Sequence, residues 1–400
     1  MTTEDQVQLA VALDGAGWHP AAWREADARP RALVTPEYWV DLVRRAESGL
    51  LDFVTVHDSL ATLPLRRGVP DRSVGNVRGR LDAVLIAARV APVTRSVGLV
   101  PAITTTHTEP FHIAKSVATL DFVSSGRAGL QARVSPTPEE ALLFGRRELP
   151  RAGPADPAAG DPPGYVTDLF DEAAEYVEVV RRLWDSWEDD AEIRDVATGR
   201  FIDRDKLHPI GFEGRFFCVR GPSITPRPPQ GQPPVAVLAH VPVAFDLAAR
   251  SADVVFVTPR DTDDVRGLVA TVRAHEEAVR REGAPLRVFA DVVTFLDDDA
   301  GSARGRLDRL DARSGRAFRS DALAFVGTPS GLADLAGEWR AAGVDGLRLR
   351  PGTLPHDLDQ ITGPLVDELR RRSRFRSRYA EHTLRERLGL ARPTNRYAAA

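Results

Sequence analysis

Residues 118–135 carry the pattern with the clearest chemical content in this chain. A predicted helix ends at Ser124-Ser125-Gly126, and the predicted strand Ala128–Ser135 then sets Gln131, Arg133 and Ser135 on one face. Side chains alternate along a strand, so a face turned into a core is apolar. Three polar groups on one face, one of them a guanidinium, imply a strand that ends in a wet site. Other apolar runs end on polar residues too: Asp14, the pair His57 and Asp58, then Thr104, Thr105 and His107, followed by His240, Thr258 and Arg350. Such a set offers imidazoles for proton transfer and charged groups for holding a ligand.

Several chemistries are poorly served. His57, Asp58, His107 and His240 show no diagnostic metal-ligand spacing, so no metal site is expected. Asp14-Gly15-Ala16-Gly17 begins like a dinucleotide fingerprint, but the third glycine is missing and Trp18-His19-Pro20 stands where a helix would open. Nucleophile-elbow and phosphate-loop motifs are missing as well. Cys218 is the single cysteine, which excludes an internal disulfide and a cysteine-based metal site. A formal net charge of −4 gives no electrostatic case for nucleic acid or anionic membranes. The first residues do not read as a signal peptide, and no apolar run approaches the ~18 residues of a membrane helix. A soluble cytoplasmic protein is expected.

The elements that must position these residues follow from hydrophobic patterning. Eight short β-rich runs recur: Leu9–Asp14, Phe53–Asp58, Val97–Thr105, Ala128–Ser135, Val235–His240, Val254–Thr258, Val288–Phe295 and Gly346–Arg350. Helical patterns alternate with them, including one opened by Thr35-Pro36-Glu37, a cap-like residue with proline at the first position. Others run Arg80–Val93, Glu109–Val123, Leu169–Trp187, Val243–Ser251, Asp264–Glu282, Ser330–Ala342 and Leu358–Arg372. Eight strands alternating with helices predict an α/β fold, a (β/α)8 TIM barrel, formed by residues 1–400 as a single domain. A doubly wound sheet is the competing arrangement. Two stretches exceed a minimal barrel: 136–168 and 189–234 are expected as insertions around strands 4 and 5, beside the mouth. The Arg-rich segment 375–400 is read as a packing or subunit-contact arm.

Several segments resemble one family. They are GWHPAAWR at 17–24, VRGRLDAVLIAARVAP at 77–92, SSGRAG at 124–129, FEGRFFCVRGPSITPRPPQGQP at 212–233, VGTPSG at 326–331 and TLRERLGLARPTNRY at 383–397. Together they resemble the bacterial luciferase-like flavin monooxygenases, in the nitrilotriacetate, dibenzothiophene-sulfone and pristinamycin-synthesis branch. The resemblance implies a (β/α)8 barrel, often a homodimer, that binds reduced FMN at the strand ends. It also implies a separate flavin reductase and a small-molecule substrate oxygenated with molecular oxygen. By the same resemblance, Asp58, Thr104, Thr105 and Gln131 line the flavin, with Arg133 and Ser135 on the same strand end. Trp18, His19 and Trp23 form the adjoining substrate wall. His57, His107 and His240 are the candidate acid–base residues.

The chain departs from the family pattern where the cofactor is held. Relatives follow GRAG with a Trp-Asn-Val-Val-Thr-Ser run; Leu130, Gln131, Ala132, Arg133 and Val134 stand here, and only Ser135 is retained. A buried unpaired guanidinium is costly, so Arg133 is expected to meet an anion: a flavin phosphate, a substrate carboxylate, Asp58 or another acidic side chain. After strand five, Leu238 to Val243 and Phe245 replace the family's glycine-rich phosphate cradle, which leaves His240 or Arg133 as charged substitutes. Glu109, where relatives carry His, suits a helix N-terminus. Two alternatives stay open: a deazaflavin-dependent oxidoreductase that does not use oxygen, and a non-catalytic barrel with a degenerate flavin site.

Overall fold

The computed structural model describes residues 6–61, 74–150, 163–279 and 283–398, with backbone alone at 65–66 and 69–70. Each predicted apolar run forms a strand: β1 Gln8–Leu13, β2 Phe53–Val56, β3 Gly98–Thr104, β4 Leu130–Arg133, β5 Val235–Leu238, β6 Val254–Val257, β7 Arg287–Leu296 and β8 Gly346–Pro351. Neighbours pair in parallel from β1 through β8, and β8 pairs back onto β1, closing a (β/α)8 barrel. The competing open sheet is thereby excluded. Parallel strands buried on both faces need continuous apolar sequence, which is what β2 and β6 supply.

The outer layer comprises α1 Pro36–Ser48, α2 Ala83–Val90, α3 Pro110–Val123, α4 Pro138–Phe144, α5 Gly164–Asp185, α6 Pro242–Ser251, α7 Thr262–Val279, α8 Ala300–Ser314 and α9 Pro329–Ala341. In α1, Pro36 opens the helix, and Tyr38, Trp39, Leu42, Val43 and Ala46 form the buried stripe that seats it on the sheet. A further helical run, His356–Arg371, passes through a π turn at Ile361–Leu365. The elements not anticipated include α8 and an accessory strand. α8 buries only Ala303, Arg306, Leu307 and Leu310, and the accessory strand, Leu323–Gly327, pairs with the outer half of β7.

Of the two long stretches, 136–168 contributes α4 and the start of α5, while residues 151–162 lie outside those described. The second, 189–234, holds two small antiparallel hairpins, Glu192–Asp195 with Arg200–Ile202 and Phe212–Glu213 with Cys218–Val219. The end of the helix predicted to reach Glu282 also lies outside the described residues.

The barrel interior is layered. Its floor is apolar, formed by Ala10, Phe53, Val100, Ala236, Val254, Phe256 and Phe289. The C-terminal arm closes that floor. Leu384, Leu388 and Leu390 pack into the same cluster from a short helix, α10 Leu384–Arg387, opened by a Thr383–Glu386 capping box. Arg387 Nη1 donates to the backbone oxygens of Asp52 (3.0 Å) and Ser96 (2.7 Å), so the arm is a packing element under strands β2 and β3.

Candidate active site

Above the apolar floor the barrel turns polar. Arg348 on β8 lies directly across from Asp291 on β7 in the sheet register. Its Nε and Nη2 donate to the two carboxylate oxygens at 2.7 and 2.5 Å, and Nη1 reaches Gln131 Oε1 on β4 at 2.9 Å. Arg350, one strand repeat higher, donates to Asp291 and to Asp321 Oδ1 (2.7 Å). All three charged strand residues are almost completely buried. The guanidinium carbon of Arg348 lies 3.6 Å from the centre of the Phe256 ring, and that of Arg350 lies 4.6 Å from Trp18. An Arg–Asp–Arg ladder, tied across the barrel to Gln131, therefore divides the floor from the mouth.

The ladder forms the base of a cavity of about 260 Å3 at the carboxyl ends of the strands. Such mouths carry the active sites of (β/α)8 enzymes. Trp18, His57, Gln131, Arg133, Phe170 and His240 are among its lining residues, with Leu238, Arg348, Arg350 and Asp321. Trp18 is oriented by an indole hydrogen bond to the Ala12 carbonyl (3.1 Å) and sits 5.5 Å from the His57 ring. Burial pushes the His57 imidazole down to a pKa of about 4; Asp14 opposes the shift, and Arg80, Arg133 and Arg348 add to it. His57 is therefore neutral at pH 7. His240 is exposed at the rim.

Other expected site residues sit elsewhere. Asp58 caps local backbone, accepting from Ser59 N (2.7 Å) and Ala83 N (3.2 Å), and burial raises its pKa. The Thr105 hydroxyl donates to the Arg133 carbonyl at 3.1 Å. Thr104 is buried beside it and does not line the cavity. Ser135 is also buried, its N–H donating to Thr106 Oγ1 at 2.9 Å. His107 stacks on Phe144 of α4, with ring centres 5.0 Å apart, and burial lowers its pKa. His19 turns away from the mouth: Nε2 meets Asp311 Oδ1 on α8 at 3.0 Å, Nδ1 accepts from Ala21 N, and burial lowers its pKa. Trp23 lines a neighbouring cleft of about 210 Å3 with Asp14 and Arg80, its indole bonded to the Gly75 carbonyl. Among the described residues, no group of three His, Cys, Asp or Glu side chains is arranged to hold a metal ion.

Arg133 meets one anticipated kind of partner, an acidic side chain, and only at ion-pair distance; at Asp58 it meets the backbone and not the carboxylate. Its Nη1 donates to the backbone oxygen of Asp58 at 2.8 Å, and Nη2 lies 3.7 Å from Glu140 Oε1 on α4. Glu109 does stand at the N-cap of α3, but its carboxylate pairs with Arg146 and not with the helix N–H groups. The helix after β5 opens at Pro242, which has no N–H, with no side-chain cap, so it presents a reduced set of backbone donors. Asp291 and Arg348 were missed in the sequence. The signal was the one acid within the β-rich run of β7, and an arginine two residues before Arg350, hence on the same strand face.

A closed parallel barrel with a polar mouth above a buried charge ladder defines a (β/α)8 enzyme whose ligand enters over the strand ends. Residues 16–319 match the family model for luciferase-like monooxygenases. The chain is 31% identical to N-acetyl-S-(2-succino)cysteine monooxygenase of Bacillus subtilis strain 168, with 98% of each chain covered. It is 29% identical to nitrilotriacetate monooxygenase component A of Aminobacter aminovorans, covering 100% of this chain and 99% of the relative. EDTA monooxygenase from Chelativorans sp. BNC1 shares the fold, with a TM-score of 0.81 at 22% identity over 97% of this chain and 99% of that one. The chain belongs to the luciferase-like monooxygenase family, whose members are oxidoreductases that work with reduced flavin.

Proposed function

We propose that this chain oxygenates a small organic molecule using molecular oxygen and reduced flavin mononucleotide delivered by a separate flavin reductase. The observation that carries this reading is the mouth cavity, built on a chain that matches monooxygenases over nearly its whole length. The residues present suit the flavin head. Trp18, Val237 and Leu238 offer apolar wall, and the Gln131 amide stands at the base, steadied by Arg348. Cationic groups beneath the cavity favour a reduced flavin that carries negative charge. Bound flavin supplies the electrons that activate oxygen.

The chain's own residues then bind, orient and exclude water. A cavity of about 260 Å3 lies just below the ~300–1,000 Å3 typical of small-molecule sites. Trp18, Phe170 and Leu247 form the wall that keeps water from it. Neutral His57 serves as a hydrogen-bonding wall group, and its low pKa makes it a weak base at pH 7. His240, exposed at the rim, offers a hydrogen-bonding imidazole where the cavity meets solvent. Residues 1–400 are read as one domain, working as a cytoplasmic homodimer. Among the described residues no helix is long and apolar enough to cross a membrane.

Anaerobic titration with reduced flavin mononucleotide tests this reading. Micromolar binding, followed by oxygen consumption on adding substrate candidates, is the expected result. Binding of a reduced deazaflavin alone, with turnover that consumes no oxygen, would replace it with a deazaflavin oxidoreductase. A protein that binds neither cofactor is a non-catalytic barrel.

A further inference from the structure

Arg133 differs from the other guanidinium groups around the mouth. Arg348 and Arg350 share Asp291, and Arg350 also holds Asp321. Arg80, in the neighbouring cleft, is paired with Asp14 at 2.9 Å. Among the described residues Arg133 makes one hydrogen bond, to a backbone carbonyl, and its nearest carboxylate oxygen is 3.7 Å away, an ion-pair separation beyond hydrogen-bond range. That carboxylate, Glu140, is 2% exposed and already accepts the Ser59 hydroxyl at 3.2 Å. A guanidinium has five N–H donors in a rigid fork that matches an oxyanion. Most of that capacity is unspent in Arg133, whose side chain is 29% exposed at the cavity.

The charge around the cavity is also directional. The charged side chains lining it are three arginines, Arg133, Arg348 and Arg350, against one carboxylate, Asp321. The balancing carboxylates, Asp291 and Glu140, are buried and do not line it. The carboxylates are thus set back from the cavity, and Arg133 is the lining arginine whose side chain is partly exposed to it. A low-dielectric wall lined by one sign of charge concentrates the opposite sign. Arg133 is also held in place before any ligand arrives. Asp58 fixes its head, and the Thr105 hydroxyl fixes its backbone carbonyl. Preorganised donors bind without the entropic cost of ordering the side chain.

We propose that Arg133 is the receptor for an oxyanion, a carboxylate or a phosphate, carried into the mouth cavity by a ligand. This deepens the monooxygenase reading and rests on it only for what happens to the ligand afterwards. Two ligands bring that chemistry: a substrate bearing a carboxylate, and reduced flavin mononucleotide through its phosphate. Lysine at this position would keep the charge and lose the fork; glutamine would lose both, leaving a shorter side chain with a single amide group.

Calorimetric titration under anaerobic conditions separates the sources, using the wild-type chain, Arg133→Gln and Arg133→Lys, each first matched by circular dichroism and melting curve. The titrants form two pairs that differ mainly in charge: succinate with succinamide, and reduced flavin mononucleotide with reduced riboflavin. At least one charged member is expected to bind the wild type about tenfold or more tightly than its neutral partner. That preference is expected to fall to within about twofold in Arg133→Gln and to survive in part in Arg133→Lys. Loss confined to the succinate pair assigns the site to a substrate carboxylate; loss confined to the flavin pair assigns it to the phosphate. The proposal is overturned if the wild type shows no charge preference in either pair, or if Arg133→Gln keeps the wild-type preference. If neither flavin binds while the succinate preference holds and depends on Arg133, the receptor stands and the monooxygenase reading falls.

Discussion

Replacing Asp291 by Asn isolates the physics of the buried ladder. The Asp291 carboxylate is 0% exposed and accepts from both Arg348 and Arg350, whose side chains are 4% and 2% exposed. Asn keeps the shape and removes the charge, leaving two guanidinium groups a few ångströms apart inside the barrel with only Asp321 to compensate. Breaking a buried pair in this way costs about 3–5 kcal/mol, because a charge is stranded in low dielectric. For a 400-residue chain the unfolding entropy near 60 °C is about 0.8 kcal/mol/K, so a loss of about 4 kcal/mol lowers the melting temperature by about 5 °C. The companion variant replaces the whole ladder with apolar side chains, Arg348→Met, Arg350→Met and Asp291→Leu. It should melt within about 2 °C of the wild type or above it, because apolar replacement of a complete buried ion group is neutral or stabilising. Differential scanning calorimetry at a fixed scan rate measures both. The reasoning fails if Asp291→Asn melts within about 1 °C of the wild type, or if the triple variant is as labile as the single one.

Two further expectations concern stability. His57 has a pKa of about 4 in the folded chain against an ordinary 6.5, so the stability it contributes is complete above pH 6.5 and fades as pH falls toward 4. Between pH 7 and pH 5 the wild type should lose about 2 kcal/mol that His57→Gln retains, read from urea midpoints; equal acid losses in the two proteins would refute the shift. In the floor, Leu384→Ala removes a fully buried side chain from the cluster with Phe53, Phe256 and Phe289 and should cost about 2–5 kcal/mol. Leu85→Ala, at a 69% exposed position, is the control that should change little.

The barrel was legible because its strands are buried on both faces, and that demand leaves unbroken runs such as Val254–Val257 between turn residues. α8 was not, since a helix that buries four of fifteen residues carries a weak apolar stripe among its arginines and aspartates. The site was legible in part for a similar reason. Gln131 and Arg133, expected on one strand face, both reach the cavity, although Ala132 and Val134 beside them line it too. Residues past a strand end, His19, His107 and Ser135, turn according to loop packing that no local pattern records. Asp291 and Arg348 are 57 positions apart, and nothing local in the sequence pairs the lone acid of one strand with the arginine of another. Arg127, inside the SSGRAG segment that carries part of the family resemblance, is scaffold. Its guanidinium bonds the carbonyls of Ala91, Thr94, Val97 and Ser124, clamping the end of α3 to the turn before β3.

The arm beneath the barrel also governs the order in which a newly made chain can become safe. β1 pairs with β8, and Gln8 Nε2 bonds the carbonyl of Arg387, so the first strand waits for the last. A nascent chain that already holds all eight strands still presents Phe53, Val254, Phe256 and Phe289 to water until Leu384, Leu388 and Leu390 emerge. Parallel barrels close late because their pairings are distant in sequence, and apolar surface exposed meanwhile is what chaperones and proteases recognise. A ribosome that stops between Pro351 and Thr383 therefore releases a bottomless barrel destined for quality control, not a shorter enzyme.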